Sequence, residues 1–173
     1  MKKNTVKKQS MAQFNTQMIT KRRPSPLDVK LHPVLEKHLG YCLYKAAFKF
    51  RAMIDGMLAD VGLIAPQFGI LSVLKHSDGL NQISLGLQMG IDKATIVKLI
   101  DGLEKSGYVV RVSSETDRRE KYLKATPRGL KFLETVIPQM KALEGEFLQP
   151  LSAEEKRVLL GAVPKLMIPK IIP

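Results

Sequence analysis

The sequence predicts a mainly α-helical fold with a small β-hairpin wing, a winged helix-turn-helix flanked by helical segments near both termini. Three observations predict it. Apolar residues recur at three- and four-residue spacing on both sides of the middle of the chain. Residues 82–103 fit two helices joined by a tight turn, and directly after Gly107 the period switches from helical to alternating.

The 173 residues, 45% hydrophobic and 25% charged, suit one globular domain that closes its core without disulfides or a structural metal. Cys42 is the single cysteine, which excludes an intrachain disulfide and zinc sites built on paired cysteines, and points to a reducing, cytoplasmic compartment. No run of about 18 apolar residues is present, so no membrane partner is expected. Residues 1–30 read as a flexible basic arm, and residues 31–173 as the folded body. Within the body the winged unit spans about 63–126, between pairing helices at about 33–60 and 127–168.

The arm holds eight bases (Lys2, Lys3, Lys7, Lys8, Lys21, Arg22, Arg23, Lys30) against Asp28 alone, and Arg22-Arg23-Pro24-Ser25-Pro26 breaks structure near its end. Its composition fits a solvated terminus, a transit-peptide-like leader or a DNA-contacting arm. From Pro33, Leu35, Leu39, Cys42, Leu43, Ala46, Phe50, Met53, Ile54 and Met57 outline one amphipathic helix of about seven turns, ending near Gly62. Pro66 opens a second helix with Phe68, Leu71 and Leu74 as apolar positions, closed by Ser77-Asp78-Gly79.

Leu85 and Met89 then form the inner face of a short helix. Gly86 lies where a second helix must cross closely, and Gly90 where the turn requires positive φ. Asp92 is a good N-cap for the next helix, able to accept the amide of Thr95, and Ile96, Leu99, Ile100 and Leu103 give its inward stripe. Lys93, Ala94, Val97 and Lys98 therefore face outward, as DNA readers or simply as a solvated face. Tyr108 to Ser113 and Lys121 to Ala125 pair as a hairpin whose loop carries Asp117, Arg118 and Arg119, suited to a phosphate backbone or a narrow minor groove.

Pro127 starts a long helix with Leu130, Leu133, Val136, Ile137, Met140, Leu143 and Phe147 as its stripe, which Pro138 should kink or interrupt. Ser152 and Glu155 form a capping box for a last helix, and Pro164 and Pro169 should break up the apolar tail. Apolar residues persist to Ile172, more than a monomeric terminus needs, which suggests burial against a second copy. The net charge of +12 makes a polyanion the expected partner.

This order of elements resembles the MarR family of bacterial transcriptional regulators over residues 33 to about 168. The residues that carry the resemblance are Leu39-Gly40-Tyr41, Gly62-Leu63 with Gln67-Phe68, the run from Ile91 to Arg111, and Asp117, Arg119, Leu123, Thr126 and Gly129. The resemblance implies an obligate homodimer whose first and last helices interlock, presenting two winged units to double-stranded DNA at a palindromic operator, without enzymatic activity or cofactor. It implies that Asp92, Lys93, Ala94, Thr95, Val97 and Lys98 lie in or beside the major groove, with Asp117, Arg118 and Arg119 at the wing and Arg119 in the minor groove. Gly102 departs from the family pattern, which is often basic there, and Arg118 adds a charge beside the expected one.

The resemblance also implies a small apolar or aromatic effector between the pairing helices and the DNA-binding unit. Tyr41, Tyr44, Phe48, Met57 and Phe68 are candidates for that site or for plain core packing. His38 and Cys42 share a helix face, so an imidazolium could lower the thiol pKa and make Cys42 a redox sensor. In peroxide-sensing relatives, however, the cysteine stands at the position of Gly40, about 200° around the helix. A buried structural thiol is the expectation, and His32, His38 and Cys42 lack a further ligand for a metal site. The competing reading is a nonspecific, architectural nucleic-acid binder driven by the arm.

Overall fold

A computed structural model describes residues 30–77, 79–113 and 121–167. The arm up to residue 29, the wing tip and the last six residues lie outside them. The elements in chain order are α1 (Pro33–Glu36), α2 (Leu39–Leu58), a 3-10 turn (Ala59–Val61), α3 (Ala65–Lys75), β1 (Leu80–Asn81), α4 (Gln82–Met89), α5 (Lys93–Lys105), β2 (Val109–Ser113), β3 (Lys121–Ala125), α6 (Pro127–Phe147) and α7 (Ala153–Leu166). The chain divides into two compact units, Met1–Lys49 and Phe50–Pro173, with the boundary inside α2.

In the first unit the continuous helix expected from Pro33 is broken at Lys37 and His38. Pro33 suits the first turn of α1, and His32 Nδ1 accepts the Val34 amide at 3.3 Å. The Cys42 thiol reaches back to Leu35 O at 3.6 Å and Glu36 O at 3.5 Å, at the end of α1, where Leu35 O also accepts the His38 amide at 3.1 Å. The spacing of Leu35, Leu39 and Cys42 is the same with or without the break, so periodicity alone could not reveal it. Leu39 and Leu43 of the predicted inner stripe are exposed.

The second unit is built around Leu58, Leu63, Ile70, Leu71, Leu85, Ile96, Ile100, Leu103, Leu123 and Leu133, each at most 2% exposed. Removing side chains of this kind from water contributes about 1.5–3 kcal/mol apiece. Pro66 occupies the first turn of α3, where Asp55 Oδ1 accepts the Ala65 amide at 2.6 Å. Phe50 of α2 meets Phe147 of α6 with ring centroids 4.8 Å apart.

The sheet has three antiparallel strands in the order β1-β3-β2. The hairpin of β2 and β3 falls where the alternating pattern predicts it. The third strand, pairing Leu80 with Leu123 and Asn81 with Tyr122, is too short for an alternation signal.

Two prolines stand inside helices without ending them. Pro138 does not interrupt α6, and Pro164 does not stop α7, which ends two residues later. Both prolines are exposed. Leu160, whose carbonyl loses its partner to Pro164, is also exposed, so water can take its place. Along α6 Leu130 is exposed at 36%, and Gly129 is the buried position beside it.

Candidate nucleic-acid interface

The turn between α4 and α5 is fixed by three residues whose types have local causes. Asn81 caps α4 by accepting the Ser84 amide at 2.8 Å. Gly90 ends it with φ 62°, in the left-handed region that favours glycine. Gly86 permits the crossing, since a Cβ there would lie 3.1 Å from Ile91 O and 3.5 Å from Ile96 Cγ2.

Asp92 then caps α5, its Oδ1 accepting the amides of Ala94 and Thr95 at 3.0 Å each. A hydrogen bond from the Thr95 side chain, joined by the Thr95 amide, holds the carboxyl below the ordinary Asp value. Desolvation opposes this, and the Ala94 amide adds to it. Ile96, Leu99, Ile100 and Leu103 are buried, which turns Lys93, Ala94, Thr95 and Lys98 outward and leaves Val97 partly covered. The first two turns of α5 thus present two ammonium groups and small side chains on one open face.

The last two turns differ, and sequence reasoning missed why. Arg111 of β2 donates to Asp101 at 2.6 Å, to Glu104, and to Gln82 Oε1 at 3.4 Å, while Glu104 Oε1 also accepts the Arg111 amide at 3.4 Å. Burial disfavours its charge, but the hydrogen bond to Asp101 and the charges of Glu104 and Asp101 outweigh this and raise its pKa. The partners stand 29, 10 and 7 residues away, so no local pattern announces them.

Gly102 also has a structural cause. A Cβ there would lie 2.7 Å from Nε2 of buried Gln67, which donates to Leu99 O at 3.3 Å and accepts the Ile64 amide through Oε1 at 3.2 Å. Gly102 therefore faces α3, and a basic side chain could not occupy that place without displacing Gln67.

The wing pairs from Val109 with Ala125 out to Ser113 with Lys121. Asp117, Arg118 and Arg119 lie beyond that pair, outside the described residues. The base of the wing is pinned by Thr126, whose Oγ1 donates to Gly107 O at 2.7 Å and accepts the Gly129 amide at 3.1 Å. Arg128 stacks over the Tyr108 ring, 5.0 Å from its centroid.

The effector candidates fall into two groups. In the first unit Tyr41, Tyr44 and Phe48 form an exposed row along α2, with centroids 6.4 and 6.1 Å apart and Lys45 Nζ 5.9 Å from the Phe48 ring. His38 is exposed there, and Cys42 is half-buried with its thiol engaged by carbonyls. In the second unit Met57 and Phe68 are partly buried against the core. Among the described residues no group of three or more His, Cys, Asp or Glu gathers to hold a metal, and no single helix is long and apolar enough to cross a membrane.

Two helices joined by a tight turn and followed by a β-hairpin wing are the arrangement of a winged helix-turn-helix. The MarR family pattern matches residues 63–121. A protein of Thauera aromatica named for transcriptional regulation of the hcr operon is 30% identical over 143 residues, covering 82% of this chain and 86% of the relative. Among solved structures, a cysteine-to-serine variant of MarR from E. coli, complexed with operator DNA, matches with TM-score 0.69 at 21% identity, over 80% of this chain and all of that one. BpsR of Bordetella bronchiseptica, whose DNA binding is regulated by 6-hydroxynicotinic acid, matches with TM-score 0.71 at 20% identity, over 82% of this chain and all of that one. The chain belongs to the MarR family and is a DNA-binding transcriptional regulator.

Proposed function

We propose that the protein is a homodimeric repressor that reads a palindromic operator with α5 in the major groove and the wing in the adjacent minor groove. The observation that carries this reading is the split character of α5: an open face with Lys93 and Lys98 in its first two turns, over a fully buried apolar stripe. Lys98 contacts phosphate or guanine, Asp92 holds the helix end, and Arg119 enters the minor groove.

Pairing of two copies is supported by apolar side chains that the single chain leaves in water. Leu39, Tyr44 and Phe48 on α2, and Val158, Leu160, Val163 and Leu166 on α7, are between 41% and 73% exposed. The two copies would set their α5 helices about one DNA turn apart. The similar MarR structure with operator DNA supports the DNA partner, and regulation of BpsR by 6-hydroxynicotinic acid supports an aromatic effector for this chain. Such a ligand, lodged against Tyr41, Tyr44, Phe48, Met57 or Phe68, releases DNA only by binding the DNA-incompetent arrangement more tightly. No enzymatic step is assigned.

Selection of genomic fragments by the purified protein tests the reading. The expected result is a shared near-palindrome with half-sites about 10 bp apart. Fragments retained without a common motif, with binding that collapses as salt rises, would instead show a nonspecific binder driven by charge.

A further inference from the structure

Arg111 lies on the strand that leads into the wing, where a basic residue would ordinarily be assigned a phosphate contact. Its side chain is turned inward instead and is only 22% exposed. Asp101 and Glu104 hold it from α5 and Gln82 from the first residue of α4, so three elements of the DNA-binding unit converge on one planar guanidinium. Two carboxylates already outweigh its single positive charge, which leaves little attraction for a third anion. A compact ammonium could not bridge the same partners, because the fork of donors is what spans them.

We propose that Arg111 is a positioning residue for DNA recognition: it touches no DNA, and it fixes the angle of α5 against the wing so that both address one operator together. The inference rests on the reading of α5 as the recognition helix. It separates two properties that a phosphate contact would keep joined. Attraction to any duplex comes from unpaired bases elsewhere, whereas discrimination between sequences needs α5 and the wing held in one geometry.

The test measures affinity for the selected operator and for a scrambled duplex across a salt series. Wild type, Arg111→Gln and Asp101→Asn are compared as full-length proteins. Arg111→Gln is expected to lower the operator-to-scrambled ratio about tenfold, through loss of charge-assisted hydrogen bonds. The salt slope on scrambled DNA should stay unchanged. If Arg111 contacted a phosphate, that slope would become shallower by about 0.9. Such a change, or an unchanged ratio, overturns the proposal.

Asp101→Asn keeps Arg111 and removes a negative charge from the DNA-facing unit, so it serves where Arg111→Gln does not fold. Positioning predicts a lower ratio for it as well, whereas a phosphate contact predicts tighter binding to both duplexes. Arg111→Lys should restore the charge but not the ratio. A wild type that fails to discriminate overturns the α5 reading and this inference together. A discriminating wild type with an undisturbed Arg111→Gln overturns the inference alone.

Discussion

Two glycine-to-alanine changes in the same helix should shift stability in opposite directions. Gly129 is the third residue of α6, and a Cβ there would collide with Tyr108 O, with Tyr108 C at 3.2 Å and Leu71 Cδ2 at 3.4 Å close behind. The obstacle is backbone, and that carbonyl already accepts the Thr126 amide at 3.0 Å, so it cannot swing aside. Helix α6 must draw away from the start of β2 instead. Overpacking of this kind costs about 1–3 kcal/mol, against about 0.5–1 kcal/mol returned by alanine's better helix propensity. Gly129→Ala should therefore lower stability by about 1–2 kcal/mol. Gly145, later in α6, has no neighbour within 4 Å of where a Cβ would lie, so Gly145→Ala should raise stability by about 0.5–1 kcal/mol. Urea unfolding at one protein concentration reads both as midpoint shifts with unchanged slope. A Gly129→Ala midpoint at or above wild type would refute the close approach of α6 to the wing base.

Lys98→Ala should make the salt dependence of DNA binding shallower by about 0.9 if it neutralises a phosphate, or relax the preference at one base pair if it meets guanine, and an unchanged titration would exclude both. Arg119→Ala should weaken operator binding without changing the unfolding midpoint, and a lowered midpoint would mark it as structural instead. Asp92→Asn tests the cap through pH. The carboxyl titrates below its ordinary value when folded, so its contribution is fully present above the unfolded pKa of about 3.9 and is lost as pH falls through the folded pKa. Thermal unfolding from pH 7 down to pH 3 should show the gap between wild type and Asp92→Asn closing on acidification, and a gap independent of pH would mean that the capping carboxylate is not the source.

The helix-turn-helix was legible because its determinants are local. Gly90 answers a positive φ, Gly86 a close crossing and Asp92 two free amides, each within a few residues of its cause. The capping box of Ser152 and Glu155 was legible for the same reason. Features that depend on distant partners were not. Arg111 meets Gln82 across 29 residues, and Gln67 meets Leu99 across 32, so Gly102 read as a departure from a basic pattern rather than as room for a buried amide. The break at Lys37 and His38 involves no glycine or proline, and β1 is two residues long, so neither leaves a periodic trace.

The distribution of charge separates attraction from discrimination. The N-terminal end of α5 would ordinarily attract phosphate through its free amides, but Asp92 occupies two of them and adds a negative charge there. Attraction at this helix must then come from the side chains of Lys93 and Lys98. In its last two turns Asp101 and Glu104 are paired with Arg111 and offer no attraction for phosphate. The reading element as a whole is therefore nearly neutral: Lys93, Lys98, Lys105 and Arg111 balance Asp92, Asp101 and Glu104 to within one charge. Of the net +12, residues 1–30 carry +7. Nonspecific affinity scales with phosphates neutralised, so a near-neutral reader contributes little to it, and its sequence preference rests on geometry rather than on net charge. Geometry is what Gly86, Asp92, Gln67 and Arg111 jointly fix.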